Sequence, residues 1–149
     1  MLGLPLWAVR EVLSGETASS VPAAPPHVAG AINVRGEPLT LVQIDDWIGA
    51  RRRPHQSGDQ ILVLECEGVR AGLVVDRVRD IGQCERPLAE LAEIGRAAGP
   101  LTAREWTSNA MTVAVLDPRE LVAVLLRLTR AAFESFANGK RAAAGDGER

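Results

Sequence analysis

The chain has no tyrosine, and aromatic residues make up only 3% of its 149 positions. A core built on stacked rings is therefore excluded, and Val, Leu, Ile and Ala must fill it. Only two cysteines occur, Cys66 and Cys84, far apart and at no metal-ligand spacing. They read as buried reduced thiols in a reducing compartment. Neither sign of charge dominates: 17 basic residues face 19 acidic ones, for a net charge of -2. That leaves no electrostatic footing on nucleic acid or on an anionic membrane. The run Arg51-Arg52-Arg53 reads as a solvated linker. No apolar stretch approaches the ~20 residues of a membrane span. The opening Met1-Leu2-Gly3-Leu4-Pro5-Leu6-Trp7 has neither a basic lead nor a small-residue cleavage site, so it does not read as a signal peptide. A cytoplasmic protein is expected. Also missing are a Gly-rich phosphate loop, a Cys or His cluster and a nucleophile motif. His27 and His55 fall in expected loops. No catalytic residue, metal or cofactor is therefore expected, and the chain does not read as an enzyme.

What is present is 46% apolar residue, enough for a core, in one domain or two very small ones. The chain is organised around Gly30 to Ile44. Ile32 and Val34 alternate with Asn33 and Arg35, as in a half-buried strand. Arg35-Gly36 breaks the pattern, and Leu39-Thr40-Leu41-Val42 resumes it. This predicts a β-hairpin that holds Arg35 at its end, facing out. Asn33 and Gly36 serve the turn. Asp45-Asp46-Trp47-Ile48-Gly49 follows as one or two helical turns, where acids suit the N-terminus.

Around this hairpin, Val9 to Leu13 roughly alternates apolar and charged residues. Residues 14 to 27 form a Pro-rich extended loop. Ile61 to Cys66 and Arg70 to Asp76 flank Glu67-Gly68 as a second hairpin. Val78 to Ile81 is expected to continue as strand, with a helical turn near Leu88 to Ile94. A last hairpin turns at Ser108-Asn109. Asp117-Pro118-Arg119-Glu120 carries the marks of a helix start. Leu121, Val124, Leu125 and Leu128 give that helix a buried stripe ending near Asn138-Gly139, with a disordered tail over 138–149. Val9-Arg10-Glu11-Val12 echoes Val78-Arg79-Asp80-Ile81, and Ile44-Asp45 echoes Leu116-Asp117 at nearly the same period. Two duplicated β units follow as an expectation.

The residues at this point resemble a known family. Leu4-Pro5-Leu6-Trp7-Ala8-Val9-Arg10-Glu11-Val12-Leu13, then Pro25-Pro26-His27-Val28-Ala29-Gly30-Ala31-Ile32-Asn33-Val34-Arg35-Gly36, then Gly72-Leu73-Val74-Val75-Asp76 resemble the CheW-like domain. The resemblance covers roughly Leu4 to Leu126. It implies a mainly β fold of two small five-stranded barrels, over roughly 1–55 and 56–126, with short helices and a C-terminal helix, the whole domain spanning 1–137. It implies a non-enzymatic adaptor of a bacterial chemosensory system. Its partners would be a chemoreceptor cytoplasmic tip and a CheA-type histidine kinase. The residues it assigns to the receptor are Val9, Glu11, Asn33, Arg35 and Gly36, with Glu11 paired to Arg35.

The sequence departs from the family in its short lead before Leu4, which predicts a first barrel lacking its first strand. An open strand edge of that kind invites self-association. It departs again where acids and a Trp replace an expected basic pair, so Asp45, Asp46 and Trp47 become candidate residues for kinase contact or specificity. Besides the full adaptor, the sequence leaves open an adaptor that binds receptor but not kinase, a self-associating protein and a small-ligand-binding barrel.

Overall fold

A computed structural model describes residues 1–14, 16–56, 58–87, 91, 93–96, 101–108 and 111–145. Among them run nine strands and one long helix: β1 (Leu2–Gly3), β2 (Val9–Ser14), β3 (Val28–Val34), β4 (Glu37–Val42), β5 (Gln60–Cys66), β6 (Val69–Val75), β7 (Glu93–Arg96), β8 (Thr102–Ser108), β9 (Met111–Leu116) and α1 (Pro118–Gly145). Single 3-10 turns at Leu6–Ala8 and Asp45–Trp47 complete the order.

The strands form two sheets. The first has the order β2-β5-β6-β4-β3 and the second β1-β9-β8-β7. Hairpins join β3 to β4 and β5 to β6, while β4 and β6 lie parallel. After β2 the chain returns to the outer edge of β3, where Ser19 and Ala31 exchange backbone hydrogen bonds of 2.8 and 2.9 Å. That single bridge sets Ser19 beside the outer edge of β3. The first sheet carries its own core of Ile32, Val34, Leu39, Leu41, Ile61 and Val63. Gly72 sits on β6 where a Cβ would lie 2.6 Å from Leu41 and 2.7 Å from Ile61, so only glycine lets this strand approach.

A second core is shared. Val42, Ile44, Trp47, Leu64, Ala71 and Leu73 from the first half meet Leu101, Ala103 and Leu116 from the second, with Leu121 and Val124 of α1. The helix starts as its residues dictate. Asp117 Oδ1 accepts from the Arg119 amide at 2.9 Å, and Pro118 occupies the first helical position.

Several expectations are corrected here. The division near residue 55 does not follow the sheets, because β5 and β6 complete the first one and β1 joins the second through a parallel pairing with β9. The first sheet has five strands, and the sheet with fewer among the described residues is the second. Val78 to Ile81 is irregular, with Val78 half-buried and Arg79 to Ile81 exposed, and it pairs with no strand among the described residues, so the echo with Val9 to Val12 is not carried into the fold there. Glu93 and Ile94 lie in β7 rather than a helical turn, and Leu88 lies outside the described residues. The helix runs through Asn138-Gly139 to Gly145, where Lys140-Arg141-Ala142-Ala143-Ala144 outweighs one glycine. The part of the expected tail within 138–145 is thus helical, and 146–149 lie outside the described residues.

Candidate functional site

The hairpin between β3 and β4 turns on two residues with positive φ, Arg35 at 54° and Gly36 at 91°. Left-handed backbone at both central positions matches the twist of the flanking strands. Asn33 Oδ1 accepts from the Gly36 amide at 2.8 Å and holds the turn closed. The β5–β6 hairpin repeats this geometry at Glu67 and Gly68, with φ of 51° and 76°.

Arg35 is thereby lifted off the sheet, with its side chain 81% exposed. Its Nη2 donates to Glu11 Oε2 on β2 at 2.9 Å, and Glu11 is 24% exposed. Around this pair lie Arg10, Glu37, Glu65 and Arg70, together lining an open hollow of about 620 Å³. Arg10 grips Glu65 through two bonds, Nε to Oε2 at 3.0 Å and Nη2 to Oε1 at 2.9 Å. That bidentate contact, helped by the nearby Arg70, holds the Glu65 carboxyl below the usual carboxylate range. Arg70 Nη1 donates to Glu37 Oε2 at 2.8 Å, and its Nη2 stands 3.9 Å from Glu11 Oε1. Three guanidinium groups thus interleave with three carboxylates on one face. The β2–β5 register shifts between Val9 and Glu11. Such a bulge re-aims side chains, so consecutive Arg10 and Glu11 line the same hollow.

The structure brings Glu11, Asn33, Arg35 and Gly36 together. Val9 lies apart from them, half-buried and packed against the shared core. Asp46 is exposed and Asp45 half-exposed, and neither lines the hollow around Arg35. Trp47 corrects its assignment. It is 7% exposed, lies in the shared core, and its ring faces His27 at 5.5 Å, so it offers no surface to a partner. Arg10, Glu37, Glu65 and Arg70 were not singled out from the sequence. A two-residue turn at Glu67-Gly68 pairs Glu65 with Arg70 by register alone, and that signal was available.

A second ionic cluster organises the connector before β5. Asp59 accepts from Arg53 Nη2 at 2.5 Å, Arg53 Nη1 at 3.0 Å, the Gln56 amide at 2.8 Å and His55 Nδ1 at 3.1 Å. Arg53 also reaches Asp76, and Gln43 Nε2 donates to the Arg53 carbonyl at 2.8 Å. The Arg53 hydrogen bonds hold the Asp59 carboxyl down to about 2 against the opposing effect of burial. Arg53 is therefore no solvated linker residue. His27 lies in the turn before β3, as expected, and is buried there, with its Nε2 3.0 Å from Thr129 Oγ1 of α1. Burial, then the charge of Arg52, pushes its pKa down. Cys66 is buried and its thiol is pushed up by burial, while Cys84 is exposed.

Residues 1–125 match the CheW-like domain. The chain belongs to that family. The CheW-like domain here is 34% identical over 76 residues to the chemotaxis protein CheW of Rhizobium meliloti (strain 1021), covering 51% of this chain and 49% of that one. It is 26% identical over 82 residues to the chemotaxis protein CheW of Treponema pallidum (strain Nichols), covering 52% and 48%. It is 34% identical over 74 residues to the protein PilI of Pseudomonas aeruginosa, covering 50% and 42%. The matches span about half the length of these relatives. Its fold matches the crystal structure of the scaffolding protein TtCheW from Thermoanaerobacter tengcongensis with a TM-score of 0.65 at 21% identity, over 77% of this chain and 80% of that one. CheW proteins are scaffolds and adaptors of chemotaxis signalling, not enzymes. No helix among the described residues is long and apolar enough to cross a membrane.

Proposed function

We propose that this CheW-like domain is an adaptor that docks the cytoplasmic tip of a chemoreceptor on the Arg35 face and couples it to a CheA-type histidine kinase. One observation carries the reading. Arg35 is presented at the tip of a rigid turn, almost wholly exposed, with a single tether to Glu11. An exposed pair of this kind contributes only about 0–1 kcal/mol to stability. A guanidinium so placed adds little to the fold and is free to meet a carboxylate or backbone carbonyl on a partner helix. Asp45 and Asp46, on a separate turn, supply the acidic surface for kinase specificity.

The test is Arg35→Glu, titrated calorimetrically with a soluble fragment of a receptor cytoplasmic hairpin that includes its tip. Affinity is expected to fall at least tenfold, about 1.4 kcal/mol, with the fold intact by circular dichroism. Unchanged affinity overturns the reading. Kinase coupling is read separately, as stimulation of autophosphorylation in receptor–kinase mixtures. A chain that binds receptor but fails to stimulate belongs to the receptor-only form of adaptor.

A further inference from the structure

We propose that Arg70 is the stand-by counter-ion of Glu11, which lets Arg35 leave its intramolecular partner and engage a bound one. The inference rests on the Arg35 face being the partner surface, and assigns a positioning role to a residue that never touches the partner.

The geometry separates the three guanidinium groups of the hollow. Arg10 is fully committed, with two bonds to Glu65. Arg35 makes one bond, to Glu11 Oε2. Arg70 is anchored by Nη1 to Glu37, leaving Nη2 aimed at the other Glu11 oxygen, 3.9 Å away and just beyond hydrogen-bond range. When a partner carboxylate draws Arg35 outward, Glu11 would otherwise stand beside Glu37 and Glu65 without a cation of its own. Glu11 is only 24% exposed, so water screens it poorly. A part-buried carboxylate stripped of its partner is costly. A closing movement of about 1 Å by Nη2 brings Arg70 into hydrogen-bond range of Glu11 Oε1. No new charge is stranded, because Arg70 keeps Glu37 through its other nitrogen. The exchange conserves the ionic pairing of the face while freeing one guanidinium for recognition.

Calorimetric titration with the same receptor-hairpin fragment tests this. Arg70→Ala is expected to weaken binding about fivefold, which corresponds to about 1 kcal/mol. Arg70→Lys, which keeps a cation between Glu37 and Glu11, is expected to stay within about twofold of the native chain, while Arg70→Met, which keeps the stem and loses the charge, is expected to bind as weakly as Arg70→Ala. A residue that merely braces the sheet by packing would be replaced by Met as well as by Lys. A second measurement needs no partner. Thermal unfolding of Arg35→Ala, Arg70→Ala and the double variant should show the double falling below the sum of the singles by about 2 °C or more. Wild-type affinity in Arg70→Ala, equal affinities in Arg70→Lys and Arg70→Met, or additive losses in melting temperature overturn the proposal. Should Arg35→Glu bind normally, the docking surface lies elsewhere, while the melting cycle still decides whether Arg70 stands by for Glu11.

Discussion

Arg35 and Arg53 are both arginines tied to carboxylates, Glu11 on a strand of the first sheet and Asp59 and Asp76 at the ends of two others, yet they differ in what they hold. Arg53 gives two bonds to Asp59 and another contact to Asp76, and Asp59 is 6% exposed with four donors converging on it. Arg35 gives one bond to a partly exposed carboxylate and points into solvent. Removing charge from the first site leaves buried groups unsatisfied, so the fold must respond. Removing charge from the second leaves the fold nearly indifferent, so any strong effect must come from a partner. Ion-pair chemistry alone does not distinguish scaffold from surface. Burial and the number of donors on the acid do.

Five measurements break or sharpen this contrast. Asp59→Ala should give the largest effect, a loss of about 2 kcal/mol and a melting temperature lower by about 4–8 °C. Its affinity for the receptor fragment should stay within about twofold of native. A stable Asp59→Ala protein would dissolve the distinction. Arg35→Glu should do the reverse, with the affinity loss given above and a melting shift under about 2 °C.

Acid separates the two sites more finely. The Asp59 carboxyl falls from its ordinary value near 3.8 to about 2 in the folded chain. A lowered carboxylate pKa adds stability that is fully present above the ordinary value and is lost as pH falls from about 4 towards 2. Urea midpoints measured across that window should drop in the native chain and flatten in Asp59→Asn. His27 gives a weaker effect at milder pH. Its folded pKa is lowered, so the unfolded chain binds the proton better, and stability should decline as pH falls below about 6.5. The decline should be absent in His27→Gln, and equal slopes in both proteins would remove His27 from the account. The smallest effect is salt. Raising ionic strength to about 0.5 M should weaken receptor binding several-fold while barely moving the melting temperature, because the exposed face is screened and the Asp59 site is not.

How much of this was legible beforehand depended on whether the signal was local. The Arg35-Gly36 break showed as a turn because both flanking runs kept a two-residue period, and Asn33 three residues before Gly36 fits the bond it makes. The Asp117-Pro118 start declared itself for the same reason. Non-local features stayed hidden. Arg10 shares a hollow with Glu11 only because of a bulge, which the alternation of β2 does not announce. Arg53 sits in a polar run that looks solvated until Asp59 and Asp76 close around it. Trp47 became a candidate contact only because it stands where the family carries a basic residue, and the 3-10 turn directs its ring into the layer between the sheets. Val78 to Ile81 had the right alternation and, among the described residues, no strand to pair with.

That common layer has a mechanical consequence. Side chains from both sheets and from α1 interlock there, with Leu64 and Leu73 on one side and Leu101 and Leu116 on the other. A large apolar contact of this kind has no linker plane along which halves could rock. A load on the Arg35 tip is therefore expected to move both sheets together rather than open a hinge between them.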